Sequence, residues 1–226
     1  MNAKAVFRSF RLRPRTESRK LADTRRHHTI ISGTGRAGTT LLVKLFTKLG
    51  LDTGFSPDDM PVFSACNAGL EWDLRDEGAP YIVKSPWICD YIEEVVANRS
   101  LVIDYAIIPM RTLEASAESR RHVERVTDRS MIPPGHEAPG GLWLTSDPTR
   151  QEAVLAKQLH KLLTGLAKKE ARIILLYFPK LAHDFDYLFD KLYPVLGAGI
   201  KREKFLEVCR ATVEPSLVHR FTHDDY

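Results

Sequence analysis

The chain has 226 residues, of which 43% are hydrophobic and 27% are charged, with 13 Gly and 13 Pro. This composition is typical of a globular protein and excludes collagen-like, disulfide-rich and largely disordered classes. The formal net charge of +4 is unevenly distributed, because residues 1–28 carry nine basic and two acidic side chains, a net of +7, and residues 29–226 carry −3. We therefore expect a basic N-terminal tail over residues 1–28, one folded domain over residues 29–226, and no nucleic-acid binding by that domain.

The spacing of the cysteines and the length of the apolar segments indicate the cellular compartment. Cys66, Cys89 and Cys209 have no paired spacing, which favours free thiols in a reducing compartment over a zinc site or disulfides. No run approaches 18 apolar residues, so no membrane span is predicted, and the N-terminus lacks the apolar stretch of a secretory signal. We expect a cytoplasmic protein. An organellar transit peptide is the alternative, which Pro14 and the two acidic residues of the tail disfavour.

Short β-branched runs alternate with helical patterns from residue 28 onward. Strands are predicted at 29–32, 81–83, 101–108 and 172–178, and helices at 39–49, 89–98, 112–126, 149–169, 184–193 and 201–211. This alternation predicts a three-layer α/β fold with a mostly parallel sheet flanked by helices, and ligands in such folds bind at the carboxyl ends of the strands. The Pro- and Gly-rich stretch 131–148 is typical of a lid, a binding loop or an irregular surface loop.

The strongest local signal is a glycine-rich turn between the first strand and the first helix, Gly33-Thr34-Gly35-Arg36-Ala37-Gly38-Thr39-Thr40. Its backbone N–H groups and the helix N-terminus predict an anion site, with the hydroxyls of Thr39 and Thr40 as further donors. The turn fits the phosphate-loop pattern G-x-x-x-x-G-K-[ST] except that Thr39 replaces the Lys. That Lys contacts the β- and γ-phosphates in nucleotide hydrolases, so its replacement disfavours ordinary ATP or GTP hydrolysis. A glycine-rich turn without a ligand is the alternative.

A second pair of candidate anion-binding residues follows the third strand. Arg111 comes at the carboxyl end of this buried strand, where its planar guanidinium suits bidentate binding of phosphate. Ser119 lies eight residues later, about two turns into the next helix. An ion pair between Arg111 and Glu114, and an exposed Ser119, are the alternatives.

Together these motifs resemble those of the sulfotransferases that use 3′-phosphoadenosine 5′-phosphosulfate (PAPS). In that family a K/R-x-G-T-T loop, here residues 36–40, grips the 5′-phosphosulfate, and an Arg and a Ser placed like Arg111 and Ser119 hold the 3′-phosphate. The resemblance implies a phosphate-loop, sulfotransferase-like fold. Tyr177 matches the Tyr of a Tyr-Glu-Asp-Leu segment that lies near the nucleotide, although both acids are lost, and the family's C-terminal glycine-rich loop is not recognisable. The resemblance implies nucleotide binding by Thr34, Gly35, Arg36, Ala37, Gly38, Thr39, Thr40, Arg111, Ser119 and Tyr177.

The reaction that the resemblance implies is transfer of a sulfuryl group from PAPS to a hydroxyl or amine, without a metal. Arg36 and Lys84, which follows a strand as in the family, are the expected cations opposite the negative charge of the transition state. Solvated surface roles are the alternative for Lys84 and for the expected general base, Glu71, which Leu70 and Trp72 flank. The family's His base is replaced by Pro86, and the other candidate bases are Asp58, Asp59, Asp73 and His122.

The sequence does not select one acceptor, and it is compatible with two other functions. The acceptor is expected to be a small molecule or a glycan, and sugar, lipid and small aromatic acceptors all fit. A small-molecule kinase would bind Mg·ATP through Asp104, although Asp104 falls mid-strand. The remaining alternative is a noncatalytic nucleotide-binding module. Among the tryptophans, Trp143 in the Pro- and Gly-rich stretch is expected to contact a ligand.

Overall fold

The protein is described here by a computed structural model that covers residues 24–63, 68–128, 130, 132, 138–218 and 221. Most of the predicted basic tail, residues 1–23, lies outside the described residues, as do parts of the predicted 131–148 loop. The last residues of that tail, 26–28, form the beginning of the first strand.

A four-stranded parallel sheet forms the centre of the molecule. Its strands are β1 (Arg26–Ile31), β4 (Ile82–Lys84), β5 (Leu101–Met110) and β6 (Arg172–Tyr177), in the spatial order β4-β1-β5-β6. All three neighbouring pairs run parallel. A separate antiparallel hairpin joins β2 (Val62–Phe63) to β3 (Ala68–Gly69). The predicted α/β class with a mostly parallel sheet is therefore confirmed.

Helices connect the strands and cover both faces of the sheet. They are α1 (Thr39–Lys48), α2 (Ile92–Ala97), α3 (Leu113–Val126), α4 (Gln151–Lys168), α5 (Phe185–Leu196) and α6 (Arg202–Arg210), with 3₁₀ turns at Pro148–Arg150, Lys180–Ala182 and Pro215–Leu217. None of the helices in the described part of the chain is both long enough and apolar enough to cross a membrane.

Two hydrophobic cores lie on opposite faces of the sheet. Alternate residues of a strand point to opposite faces, so Ile31 and Ile107 pack with α1, α5 and α6, whereas Ile30 and Ile108 pack with α2, α3 and α4. The helices that follow β1 and β5 begin at the same edge of the sheet. This edge is where the carboxyl ends of the strands and the N-termini of α1 and α3 come together.

Several elements differ from their predicted bounds. β1 begins at Arg26, three residues before the predicted strand, because residues 26–28 pair with residues 101–103 of β5. The hairpin β2–β3 was not predicted, since its two-residue strands carry no measurable alternation. β6 is an edge strand, because only β5 pairs with it, and four of its side chains are exposed.

Candidate functional site

A cavity of about 1090 Å³ opens at the edge of the sheet where the parallel strands end. Its wall includes residues of the turn after β1, the end of β4, the middle and C-terminal half of α3 and the 138–144 segment. Ligand sites of folds with an open parallel sheet lie at this position. The volume slightly exceeds the usual range of about 300–1,000 Å³ for a single small ligand.

The glycine-rich turn forms one wall of this cavity and leads into α1. Four of its residues have positive φ, namely Gly33 at 134°, Gly35 at 68°, Arg36 at 58° and Gly38 at 83°. Gly38 is the N-cap of α1 and has no side chain to cap the helix, and the first turn of α1 contains no acidic residue. The first N–H groups of α1 have no partner within the helix, so this wall presents donors and partial positive charge to an anion.

Glycine is favoured at two positions of this turn, because a Cβ there would require a neighbouring side chain to move. A Cβ at Gly35 would lie 2.7 Å from Nη2 of Arg120, and a Cβ at Gly38 would lie 3.2 Å from a methyl group of Leu181. Both positions also have backbone conformations that L-residues rarely adopt. The turn therefore keeps its shape because neighbouring side chains pack directly against its backbone.

Arg36, Arg111 and Ser119 lie together beside this turn. Nε of Arg36 donates to Oγ of Ser119 at 3.2 Å, and Nη1 of Arg111 donates to the backbone carbonyl of Arg36 at 3.4 Å. The guanidinium of Arg111 also lies 4.9 Å from the ring of Phe178 and 5.2 Å from the ring of Phe221. Arg111 and Ser119 are buried, yet both border the cavity. Two guanidinium groups and a hydroxyl thus face one region, as phosphate binding requires.

Lys84 and Glu71 form a buried ion pair on the other side of the turn. Nζ of Lys84 donates to Oε1 of Glu71 at 2.8 Å, to Oγ1 of Thr40 at 2.9 Å and to the carbonyl of Gly69 at 2.6 Å. Gly69 in turn donates its backbone N–H to Oε1 of Glu71 at 3.2 Å. The Lys84 side chain is 3% exposed and that of Glu71 is 21% exposed. The expected apolar setting of Glu71 is therefore wrong, because an ammonium group contacts its carboxylate.

Comparisons of this chain with protein-family models, with curated proteins and with solved structures find no match. The residues of the cavity are therefore the basis for inferring a function. The described residues contain no group of three or more His, Cys, Asp or Glu side chains placed to hold a metal ion.

The structure brings most of the predicted site residues to the cavity. Eight of them line it, namely Gly35, Arg36, Gly38, Thr39, Thr40, Arg111, Ser119 and Lys84, together with the predicted base Glu71. Thr34 and Ala37 are buried behind the turn and do not line the cavity. Tyr177 also lies outside the cavity wall, at the end of the edge strand, and its backbone N–H donates to the phenol of Tyr187. Its neighbour Phe178 is the residue of that segment that borders the cavity.

Asp104, the metal ligand of the kinase alternative, lies away from the cavity. It is the fourth residue of β5, at a bulge opposite residues 28 and 29 of β1. Its carboxylate accepts from Tyr81 at 3.2 Å and contacts Nδ1 of His27 at 2.9 Å. Asp104 therefore belongs to a polar cluster near the amino end of the sheet, the end opposite the phosphate-binding turn.

Arg120 is a buried residue beside the turn that was not among the predicted site residues. Its guanidinium is buried and donates to the carbonyl of Thr34 at 2.7 Å and to the carbonyl of Gly141 at 2.8 Å, and it lies 5.1 Å from the ring of Trp143. It thereby ties the 138–144 segment to the phosphate-binding turn. The sequence could have indicated that Arg120 is buried, because its spacing from Ser116, Ser119 and Val123 is that of one buried helix face.

Proposed function

We propose that the protein is a sulfotransferase that transfers a sulfuryl group from PAPS to a hydroxyl or amine of an acceptor. The observation that carries the proposal is the arrangement of Arg36, Arg111 and Ser119 around one glycine-rich turn at the helix N-terminus. Arg111 and Ser119 come from a different strand–helix connection than Arg36, so their proximity is independent of the motif in the turn. The Arg36–Arg111 pair lies on one side of the turn and the Lys84 ammonium on the other, and two such cationic positions suit a nucleotide with phosphate groups at two places on its ribose.

In the proposed complex the two phosphate-bearing ends of the nucleotide have different partners. The turn residues Gly38, Thr39 and Thr40 would bind the 5′-phosphosulfate through backbone N–H groups and hydroxyls. Arg111 and Ser119 would bind the 3′-phosphate. PAPS supplies an activated sulfuryl group, whose sulfur is bonded to an oxygen of the 5′-phosphate.

Lys84 and Glu71 would carry out the transfer. The acceptor oxygen forms a bond to sulfur while the bond between sulfur and the 5′-phosphate oxygen breaks, and the electron pair of that bond stays on the departing phosphate. The acceptor proton passes to the carboxylate of Glu71. The Lys84 ammonium, which already contacts Thr40 of the turn and the Glu71 carboxylate, offsets the negative charge that spreads over the transferring group.

Thermal stabilisation by nucleotides tests the proposal directly. A ligand of the native state at about 100 times its Kd adds about 2.7 kcal/mol, which for a chain of this size raises the Tm by roughly 5–10 °C. We expect this shift with 3′-phosphoadenosine 5′-phosphate and none with Mg·ATP. The reverse pattern would contradict the sulfotransferase proposal and favour a kinase.

The role of Arg111 is tested by nucleotide selectivity. Arg111→Gln should weaken binding of 3′-phosphoadenosine 5′-phosphate by about 10- to 100-fold, as expected for loss of a charged hydrogen bond worth roughly 1.5–3 kcal/mol. Binding of adenosine 5′-phosphate, which lacks the 3′-phosphate, should change little. Arg121→Gln is the control, because Arg121 lies on α3, the helix that follows Arg111, but pairs with Glu118 and Glu152 outside the cavity. Equal losses for both nucleotides in Arg111→Gln would refute the assignment.

A further inference from the structure

The part of the cavity next to Lys84 and Glu71 differs in chemistry from the part beside Arg111. Its wall comes from the β2–β3 hairpin, from the turn after β4 and from the 138–144 segment. The hairpin is joined to the Lys84–Glu71 pair through Gly69, whose N–H and carbonyl both bond to that pair. We call this region the apolar half of the cavity, and its side chains are Pro61, Val62, Phe63, Trp87, Leu142 and Leu144.

Apolar side chains are unusually exposed around the cavity. In the described part of the chain eight large hydrophobic residues are exposed, and four of them line this cavity: Trp87, Val126, Leu144 and Leu217. Trp87 is 42% exposed and Leu144 is 54% exposed, and Leu144 also has left-handed backbone at φ 52°. Clustered exposed apolar surface marks a binding site, since it is unfavourable in contact with water.

Hydrogen-bonding side chains are sparse in the apolar half. The described lining residues of the whole cavity include no Asn, Gln or Tyr, which are the neutral residues that bind several hydroxyl groups at once. The carboxylates among the described lining residues are Glu71, Asp90 and Glu214, and burial raises the pKa of Asp90. The six apolar side chains would leave hydroxyls of a sugar that contacts them without partners, which weakens binding.

We infer, on the basis of the proposed function, that the acceptor is an apolar molecule with a single hydroxyl group, and that the acceptor is not a sugar. The hydroxyl would point toward Glu71 and Lys84, and the hydrocarbon skeleton would contact the apolar half. A planar phenol and an aliphatic lipid alcohol share this chemistry. Trp87 offers a flat ring face for the first, and Val62, Leu142 and Leu144 offer aliphatic contacts for both.

Binding of three probes to the full-length protein tests this inference without requiring turnover. The probes are 2-naphthol, 1-decanol and cellobiose, each titrated by calorimetry in the presence of saturating 3′-phosphoadenosine 5′-phosphate. We expect 2-naphthol or 1-decanol to bind at least tenfold more tightly than cellobiose, and the tighter of the two alcohols identifies a planar or an aliphatic skeleton. Tighter binding of cellobiose, or no binding of either alcohol, would overturn the inference.

Two variants locate the binding site. Trp87→Ala should weaken binding of the tighter-binding alcohol by about tenfold, in line with the contribution of an aromatic contact. Leu144→Asn should also weaken it and should leave the fold intact, because Asn tolerates left-handed backbone. Tyr193→Ala is the matched control, since Tyr193 is 52% exposed on α5 and lies outside the cavity wall. Equal effects of Trp87→Ala and Tyr193→Ala would overturn the inference.

These experiments distinguish a wrong acceptor class from a wrong proposed function. If the bisphosphate nucleotide binds and the sugar is the preferred acceptor probe, the sulfotransferase proposal stands and the apolar acceptor is wrong. If the nucleotide does not bind while Mg·ATP does, the proposed function itself fails, whatever the alcohols do.

Discussion

Removing one partner of the buried Lys84–Glu71 ion pair is expected to lower the stability of the fold strongly and to disturb the site. Lys84→Met removes three hydrogen bonds donated by its ammonium, and it leaves the Glu71 carboxylate with the N–H of Gly69. Breaking a buried pair by removing one partner costs about 3–5 kcal/mol. Because the Glu71 side chain is 21% exposed, water replaces part of the loss, and we expect the lower limit of about 3 kcal/mol.

A double-mutant cycle measures the coupling between the two residues. For a chain of this size 1 kcal/mol corresponds to roughly 2–4 °C in Tm, so Lys84→Met should lower the Tm by about 6–12 °C. Adding Glu71→Gln to Lys84→Met should cost less than the sum of the single changes, by about 1–2 kcal/mol. Thermal and urea denaturation followed by circular dichroism give these values.

The pair of Lys44 and Glu214 provides the control for this cycle. Its two charges are 3.5 Å apart, and the Glu214 side chain is 57% exposed. Exposed pairs of this kind contribute about 0–1 kcal/mol, so Lys44→Met and Glu214→Gln should have small and additive effects. Additive effects of Lys84→Met and Glu71→Gln would refute the claim that the buried pair acts as a unit.

Three further predictions concern backbone, protonation and thiols. Gly35→Ala should cost clearly more stability than Gly50→Ala in urea unfolding, because both have positive φ but only Gly35 lacks room for a Cβ; equal costs would contradict the contact. Burial lowers the pKa of His28 below its ordinary 6.5, so the unfolded chain binds the extra proton and stability falls below about pH 6.5, by up to about 1.4 kcal/mol per pH unit. His28→Gln should flatten this decline, and an unchanged slope would exclude His28 as its cause. Burial raises the thiol pKa of Cys89 and Cys209 to about 12, so mass spectrometry should find neither alkylated by iodoacetamide at pH 8 before denaturation; native alkylation would contradict that burial.

The fold class was predictable because its signals are local. The β-branched run before the glycine-rich turn and the Leu and Phe stripe of α1 each specify one element, and Gly50 follows the helix as predicted. The alternation of such elements then limits the topology to a parallel sheet. The hairpin β2–β3 could not be predicted, since its strands depend on contacts with the Lys84–Glu71 pair and not on a pattern of their own.

Residues of the candidate site could be predicted where they follow a strand or begin a helix, because that position determines which edge of the sheet they reach. Arg111 follows a strand, and Arg36 belongs to a turn, so both reach the same edge of the sheet. Arg120 was missed because its role depends on the path of the 138–144 segment, which has no regular structure. Tyr177 was misjudged by one residue, since alternation along β6 sends Tyr177 outward and Phe178 toward the cavity.

The left-handed backbone of Arg36 has an energetic cost for the turn. An L-residue at φ 58° carries a conformational cost of about 1–2 kcal/mol that glycine would avoid. Foldability alone would favour glycine there, as it does at the neighbouring positions 35 and 38. An arginine at an unfavourable backbone position is the kind of local strain that accompanies function, and in the proposed sulfotransferase this strain would hold the Arg36 guanidinium beside Ser119 and Arg111.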